Sequence, residues 1–168
     1  FVITINTSAV PLMLIEKSGG KVFFSKVGPP SIAYQMKTND ALFGFEESGK
    51  FIWSDAIFYG DAALATLRLL EILEEEGKTF SELVKEIPKS LMIKIKIPCP
   101  DELKVRVLEK SYEEVMKKIP KNEIREVYTI DGYKIMLNDY SWLLLRPSGT
   151  EPVFRVFAES LNEEKAKW

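Results

Sequence analysis

The amino-acid sequence predicts an α/β domain with a mixed sheet and helices, followed by an α+β domain with an antiparallel four-stranded sheet and helices. Before Pro88, short apolar strands alternate with helical segments, which is the order typical of α/β units. After Pro88, strands with one apolar and one polar face follow one another with few helices between them. This change of pattern places the two domains at residues 1–87 and 91–168.

The first half is predicted to consist of four strands and four helices. The polar loop Asn6-Thr7-Ser8 follows the first strand directly, at a position where functional residues can lie. Gly44 and Gly49 bracket a turn after the third strand. Asp61 is a good N-cap for the longest helix, and Gly77 ends that helix. The expected strands cover residues 2–5, 21–25, 41–43 and 51–53, and the expected helices cover residues 11–17, 31–37, 61–76 and 79–87.

The second half is predicted to form mainly strands. Between two of them, Asp131-Gly132 predicts a tight two-residue primed turn, because both residues tolerate a positive φ. One long helix follows Pro100, and Pro120 ends it. The apolar stripe of this helix consists of Val105, Leu108, Tyr112, Val115 and Ile119. The expected strands cover residues 91–97, 123–130, 133–137, 141–145 and 153–157, and a last helix starts at Asn162.

Composition excludes several classes of function. The 168 residues carry 23 basic and 25 acidic side chains, so a net charge of −2 does not favour a nucleic-acid or membrane-surface partner. With no histidine and only Cys99, the chain has no Cys/His zinc cluster, no Ser-His or Cys-His couple and no internal disulfide. No apolar run approaches the roughly 20 residues of a membrane span, and the start lacks a basic leader. A cytoplasmic protein is expected, and the first residue, Phe1, suggests a fragment.

The segment RPSGTEP, residues 146–152, has the chemistry of a phosphate-binding loop. Arg146 can donate two parallel hydrogen bonds, and Ser148 and Thr150 can donate through their hydroxyl groups. Gly149 allows backbone N–H groups to approach an anion closely. The alternative is a tight turn in which the hydroxyl groups bond their own backbone and Arg146 pairs with a surface carboxylate. Local spacing leaves both interpretations open.

The segment GFEESGK, residues 44–50, also has two interpretations. A carboxylate such as that of Glu46 can accept hydrogen bonds from the neighbouring hydroxyl groups of a sugar, and Ser48 adds a donor and an acceptor. The alternative is an acidic turn whose carboxylates are solvated. The loop around Val27-Gly28 is rigid enough to approach a ligand, although it can equally be a simple strand exit.

These two loops, in this order and about 100 residues apart, resemble the third and fourth domains of the α-D-phosphohexomutase superfamily. The resemblance extends over the whole chain. It implies a phosphomannomutase/phosphoglucomutase-type isomerase that moves a phosphoryl group between positions 1 and 6 of mannose or glucose through a bisphosphate intermediate. Phosphoglucosamine mutase is the alternative within the family, and a non-catalytic sugar-phosphate binding module is the alternative outside it.

The resemblance also implies roles for individual residues. Glu46 and Ser48 resemble the pair that holds the sugar hydroxyl groups, and Gly28 lies in a loop resembling one that helps to distinguish the sugar. Arg146, Ser148, Gly149 and Thr150 resemble the clamp on the phosphate that is not reacting. The implied ligand is a hexose phosphate, and the implied partners are N-terminal domains of the same protein. Nothing in the sequence indicates an oligomeric state.

The sequence departs from the family pattern where the chemistry would lie. The family's phosphorylated serine loop and its Asp-rich magnesium loop do not occur, so the fragment is expected to be inactive alone. Mg²⁺ is expected for the full-length enzyme, bound outside these residues, and no metal ligand is assigned within them. Lys50 stands where many members have histidine, and it is the single candidate here for an acid/base role. Phe45 replaces a common glycine.

Overall fold

The computed structural model describes residues 1–166, which divide into two compact units, residues 1–89 and a second unit beginning at Ser90. The predicted fold class is confirmed, because a mixed sheet with helices is followed by an antiparallel sheet with helices. The last helix was predicted from Asn162 onward, and its final part, residues 167 and 168, lies outside the described residues. None of the described helices has the length and apolar character that crossing a membrane requires.

The first unit is built on a four-stranded sheet in the order β2-β1-β3-β4. β1 runs parallel to β2 and β3, and β3 forms an antiparallel hairpin with β4. The carboxyl ends of the three parallel strands therefore meet at one edge of the sheet, where ligands of such sheets usually bind. The elements are β1 (Val2–Thr4), α1 (Ala9–Lys17), β2 (Phe23–Ser25), α2 (Pro29–Thr38), β3 (Phe43–Glu46), β4 (Lys50–Trp53), α3 (Ala62–Glu76) and α4 (Phe80–Glu86).

The position of β3 corrects the prediction of a strand at 41–43 and a turn from Gly44 to Gly49. β3 continues to Glu46, which pairs with Lys50, so the turn contains only residues 47–49. Gly44 lies within the strand and packs against α2. A Cβ added to Gly44 would lie 2.6 Å from both Ile32 Cγ2 and Met36 Sδ. Gly44 therefore permits close packing of helix on strand instead of flexibility in a turn.

Local capping explains where the helices begin and end. The Ser8 side chain accepts a hydrogen bond from Val10 N (3.1 Å), so α1 begins two residues before the predicted start. The Asp61 cap of α3 is confirmed by a 3.0 Å bond from Leu64 N. Gly77 ends α3 in the left-handed conformation, at φ 61°.

α3 and α4 place apolar side chains on the surface. Ala63, Leu67, Leu70 and Leu73 recur at helical spacing on α3, but Leu67 is 59% exposed and Leu70 is 55% exposed. No residue of either helix is buried. One core cluster of this unit lies between the sheet and α2, and α1 also contributes buried residues. An exposed apolar helix surface of this extent is typical of a contact surface.

The second unit has five antiparallel strands in the order β5-β9-β8-β7-β6, one more than the predicted four. All five strands predicted for this half join this one sheet, and β5 pairs with β9 along its full length, from Leu91 opposite Ser160 to Pro98 opposite Val153. α5 covers one face of this sheet, with Leu108 and Tyr112 packed against Leu145 and Phe154. The elements are β5 (Leu91–Pro98), α5 (Lys104–Lys118), β6 (Ile124–Tyr128), β7 (Tyr133–Leu137), β8 (Trp142–Pro147), β9 (Val153–Ser160) and α6 (Glu163–Ala166).

The predicted two-residue turn at Asp131-Gly132 is wrong. β6 ends at Tyr128 and β7 begins at Tyr133, so the connection contains four residues, 129–132. Only Gly132 has a positive φ, 99°. Glycine is required there for a second reason, because an added Cβ would collide with the carbonyl oxygen of Leu145. The close approach places Asp131 beside the end of β8.

A buried charged cluster lies near the start of β8. Lys134 Nζ lies 3.9 Å from the centroid of the Trp142 ring, and Trp142 Nε1 donates a 2.5 Å hydrogen bond to Glu159 Oε2. Burial lowers the pKa of Lys134 to about 7, although Glu159 opposes the shift. Trp142 precedes Arg146 by four residues, about 13 Å along a strand. The cluster is therefore separate from the loop that follows β8.

Candidate functional site

In the first unit, Glu46 is the centre of a hydrogen-bonded cluster at the end of β3. Its side chain is only 6% exposed. Oε1 accepts hydrogen bonds from Ser48 Oγ (2.5 Å) and Lys50 Nζ (2.8 Å), and Oε2 accepts one from Gly28 N (3.1 Å). Four residues singled out by sequence, Glu46, Ser48, Lys50 and Gly28, are thus brought together. Glu46 is not a solvated turn residue.

The cluster fixes the charges of Glu46 and Lys50. Burial, the largest single influence, raises the pKa of Glu46, but the bonds from Lys50, Ser48 and Gly28 together outweigh it and hold the pKa below its usual value. The hydrogen bond and the charge of Glu46 raise the pKa of Lys50. At neutral pH Lys50 therefore keeps its proton, and it is suited to donate a hydrogen bond and unsuited to act as a base.

Backbone geometry and a neighbouring loop hold this cluster in place. Gly28 has φ 117°, a conformation that strains other residues, and it turns its N–H toward Glu46. Asn6, in the loop after β1, donates from Nδ2 to Glu47 Oε1 at 2.7 Å. Loops from the ends of β1, β2 and β3 therefore form one polar edge. Phe45 points to the other face of β3 and stacks on Phe43, which accounts for an aromatic residue at a position where the family often has glycine.

In the second unit, Arg146 lies near the end of β8 and forms an ion pair with Asp131. Nε donates a 2.8 Å hydrogen bond to Asp131 Oδ2, and the arginine side chain is 14% exposed. Asp131 is its only side-chain partner among residues 1–166, so both terminal nitrogens remain available as donors. The carboxylate pairing considered in the sequence analysis is present, and it orients the guanidinium group without using its terminal nitrogens.

Ser148 stabilises the loop between β8 and β9. Its buried Oγ accepts hydrogen bonds from Thr150 N (3.4 Å) and Glu151 N (3.2 Å), and its N–H donates to Val153 O (3.0 Å). The predicted backbone-bonding turn is therefore also present. Gly149 and Thr150 are exposed at the tip of this turn. Within the described part of the chain, the Gly149 N–H makes no hydrogen bond.

Gly149 is the one glycine of the chain that the fold does not explain. The chain contains nine glycines. Eight of them have either a positive φ or a neighbouring atom that would crowd an added Cβ. Gly149 has neither, since its φ lies outside the left-handed region and an added Cβ would meet nothing within 4 Å. Neither backbone conformation nor packing within the chain requires glycine at position 149. Its missing side chain leaves space beside the backbone that a ligand can occupy.

Lys104 is a residue that motif spacing did not identify. This buried lysine at the start of α5 donates from Nζ to Ser148 O (2.5 Å), Glu151 O (2.7 Å) and Asp101 Oδ1 (2.6 Å). The sequence contains one signal for it. Lys104 precedes Leu108 by four residues and so continues the apolar stripe of α5 with a lysine.

The two clusters belong to different units and each is complete by itself. Glu46, Ser48, Lys50 and Gly28 lie together in the first unit, and the segment from Arg146 to Thr150 lies in the second. Across residues 1–166, no group of three or more Asp, Glu, Cys or His side chains is arranged to hold a metal ion. The two clusters offer hydrogen-bond donors and acceptors that suit a polar, anionic ligand.

Comparison with protein families identifies both units. Residues 1–91 match the family description "Phosphoglucomutase/phosphomannomutase, alpha/beta/alpha domain III", and residues 95–167 match "Phosphoglucomutase/phosphomannomutase, C-terminal domain". Together the matches define the class as two consecutive domains of sugar-phosphate mutases. The chain belongs to the phosphoglucomutase/phosphomannomutase family, within the α-D-phosphohexomutase superfamily.

The curated relatives are named as mutases of several different sugar phosphates. The chain is 38% identical over 164 residues to a phosphopentomutase and 36% identical over 169 residues to a phosphoglucomutase/phosphomannomutase, both from Thermococcus kodakarensis. It is 34% identical over 169 residues to a phosphoglucosamine mutase from Methanocaldococcus jannaschii. The three alignments cover 98%, 99% and 99% of this chain, but only 35%, 35% and 36% of the respective relatives. The chain thus spans about a third of their length.

A solved structure supports the fold. A phosphoglucomutase/phosphomannomutase family protein from Burkholderia thailandensis aligns with 99% of this chain and 34% of its own chain, at a TM-score of 0.80 and 21% identity. This likeness concerns the fold alone.

Proposed function

We propose that this chain is the substrate-holding C-terminal part of a phosphohexomutase that interconverts the 1- and 6-phosphates of mannose or glucose through a bisphosphate intermediate. Support comes from the two family domains in consecutive order and from relatives that are about three times as long. In this proposal the remaining N-terminal domains belong to the same protein and supply the phosphorylated serine and the Mg²⁺ site. The chain itself supplies recognition.

The observation that carries the proposal is the set of unused donors between Arg146 and Thr150. The two terminal nitrogens of Arg146, the N–H of Gly149 and the Thr150 hydroxyl make no hydrogen bond within the described residues. Planar guanidinium groups and backbone N–H groups match the oxygens of a phosphate in both charge and geometry. Ser148 keeps its hydroxyl proton and can add a fifth donor. Arg146, Ser148, Gly149 and Thr150 accordingly form the phosphate clamp.

The cluster around Glu46 is suited to hold sugar hydroxyl groups. A carboxylate has about four acceptor positions, and three of those on Glu46 are filled, which leaves one on Oε2. Lys50 is 42% exposed and has a proton beyond the two that bond Glu46 and Ser48. Glu46 can therefore accept from one hydroxyl group while Lys50 donates to another. In this proposal Lys50 is a donor and not a base.

A division between recognition and chemistry fits a reaction in which the sugar must bind in two orientations. A phosphate clamp that never reacts can hold either phosphate of the bisphosphate while the other one lies at the nucleophile. The phosphate clamp and the cluster around Glu46 then position the reacting phosphoryl group without bonding to it. Phosphoryl transfer requires a nucleophile and charge neutralisation, which this proposal places outside these residues.

The isolated chain is therefore expected to catalyse no interconversion of hexose phosphates. The measurement is a coupled assay of glucose 1-phosphate conversion with the purified 168-residue chain, with and without Mg²⁺ and a hexose bisphosphate activator. The full-length protein serves as the positive control. If catalytic activity stays with the isolated chain through repeated fractionation, the result would contradict the proposal that these residues supply recognition only.

The second candidate substrate is glucosamine phosphate, because a phosphoglucosamine mutase matches 99% of the chain at 34% identity. Titration of the chain with mannose 1-phosphate, glucose 1-phosphate, glucosamine 1-phosphate and a pentose 1-phosphate ranks these ligands. Tightest binding of a hexose phosphate without an amino group supports the leading proposal. Tightest binding of the amino sugar supports the second, and no binding of any of the four would contradict a sugar-phosphate module.

Arg146→Lys tests the clamp. Lysine keeps the charge but loses the planar pair of terminal donors, so affinity for glucose 1-phosphate should fall about tenfold or more, equivalent to about 1.4 kcal/mol. Arg106→Lys, at an exposed arginine of α5, is the matched control and should bind like the wild type. Isothermal titration calorimetry measures both. Equal dissociation constants for wild type and Arg146→Lys would remove Arg146 from the clamp.

A further inference from the structure

Lys104, a buried lysine at the start of α5, binds two backbone carbonyl groups of the loop between β8 and β9. Lys104 is 9% exposed, and its ammonium group reaches across 44 positions of sequence to the carbonyl of Ser148 and across 47 positions to that of Glu151. The three protons of the ammonium match three oxygens, those of Ser148, Glu151 and the Asp101 carboxylate. Burying an ammonium group is costly unless it is satisfied in this way. Removal of Lys104 would therefore leave two inward-facing carbonyl groups without their partner.

The bond to Ser148 determines the direction of the neighbouring amide. The Ser148–Gly149 peptide is trans, so its C=O and its N–H point in opposite directions within one plane. Because Lys104 Nζ binds the Ser148 carbonyl at 2.5 Å, the Gly149 N–H must point away from Lys104. This is the amide that makes no hydrogen bond within the described residues.

The second carbonyl bond fixes the other end of the turn without removing a donor. Glu151 O binds Lys104 Nζ at 2.7 Å, and the next residue is Pro152, which has no N–H. Cys99 N also donates to Pro152 O at 2.9 Å, which ties the end of the loop to the segment before α5. Both ends of the exposed tip at Gly149 and Thr150 are thus held by the start of the second unit's long helix.

We propose that Lys104 is a positioning residue that aims the Gly149 N–H at a bound phosphate group by holding the carbonyl groups of Ser148 and Glu151. The inference rests on the proposed function of the loop and adds a residue that lies far from it in sequence. Lys104 does not touch the ligand. Its positive charge lies behind the same peptide and adds to the favourable potential for an anion on the outer side.

The test compares Lys104→Met with Lys110→Met, an exposed lysine of the same helix, in the 168-residue chain. Glucose 1-phosphate and inorganic phosphate are the probes, and affinity is measured well below the melting temperature of each variant. Lys104→Met is expected to bind both probes about tenfold more weakly, whereas Lys110→Met binds like the wild type. A lysine that only stabilises the fold would lower the melting temperature and leave affinity unchanged, and this result would overturn the proposal.

Asp101→Ala is the milder variant if Lys104→Met does not fold. It removes the exposed third partner of the ammonium group and should weaken phosphate binding to a smaller extent in the same direction. Amide hydrogen exchange at Thr150 and Glu151, whose N–H groups bond Ser148 Oγ, is measured in the same samples without ligand and should be faster in both variants. If the wild type binds neither probe, the proposed function fails, and the exchange rates alone then decide the inference. Unchanged exchange in the variants would overturn it.

Discussion

Glu46 joins three segments of the first unit through one carboxylate. It accepts hydrogen bonds from Gly28 after β2, from Ser48 in the hairpin turn and from Lys50 on β4. Because these donors stabilise the ionised form, the pKa of Glu46 is lowered in the folded state despite its burial. Folding and the charge of this group are therefore linked.

Glu46→Gln should make stability less sensitive to acid. A carboxyl with a lowered folded-state pKa adds stability at pH values above about 4.3, its unfolded value, and this contribution is lost as pH falls through the folded pKa. We expect Glu46→Gln to be less stable than wild type by about 1–2 kcal/mol at pH 7, with a smaller difference near pH 3. Urea denaturation at both pH values measures it, with Glu75→Gln on the exposed side of α3 as the control. A difference that stays constant with pH would contradict the linkage.

The residues of both clusters that lie in the sequence motifs could be predicted from the sequence, whereas Asp131 and Lys104 could not. Glu46, Ser48 and Lys50 lie within five residues, so their hydrogen bonding follows from one hairpin turn. Asp131 bonds Arg146 on β8 from 15 positions away, and Lys104 bonds Ser148 in the loop after β8 from 44 positions away. Such contacts depend on sheet register and helix packing, which single-sequence patterns do not specify.

At the scale of elements, Gly44 and Gly149 differ in what requires a glycine: packing of the fold requires it at 44, and the proposed ligand requires it at 149. Gly44 lies where α2 packs on β3, and Gly149 lies at the exposed tip of the loop between β8 and β9. A side chain at Gly44 must displace Ile32 or Met36, whereas a side chain at Gly149 meets open space.

Gly44→Ala should destabilise the chain by about 1–3 kcal/mol, which is typical of overpacking a well-filled core. Gly149→Ala should change stability by less than about 0.5 kcal/mol, as surface substitutions usually do. The affinity of Gly149→Ala for glucose 1-phosphate should nevertheless fall, because the added methyl group occupies the clearance proposed for the phosphate. Thermal and urea denaturation measure the first two effects, and calorimetric titration measures the third. A stable Gly149→Ala variant that binds like wild type would show that the glycine has no role in binding.

The sequence patterns predicted the α-helices and β-strands, and the errors lie at their ends, at their connections and in the size of the second sheet. Strand and helix periodicities are set by residues close in sequence, so β5, α3, α4 and α5 agree with the expectation. β3 was misplaced because Gly44 looks like a turn residue until the packing of α2 explains it. The four-residue connection before β7 was missed because its register is fixed by the pairing of Tyr128 with Lys134.

At the scale of the whole molecule, exposed apolar residues on α3 and α4 accompany a chain that covers about a third of its relatives. Leu67, Leu70 and Phe80 are each more than half exposed. The periodicity of α3 predicts a helix, which the structure confirms, but periodicity alone does not specify whether the apolar residues of that helix are buried.

The most direct test of sugar-phosphate recognition is NMR of the 15N-labelled chain during titration with inorganic phosphate and, separately, with glucose 1-phosphate. We expect both ligands to shift the amide signals of Gly149 and Thr150, because both carry the phosphate that the clamp accepts. Only glucose 1-phosphate should also shift the signals of Ser48 and Lys50, whose cluster is proposed to hold hydroxyl groups. Saturating glucose 1-phosphate that leaves the signals of residues 46–50 and 146–150 in place would contradict the account.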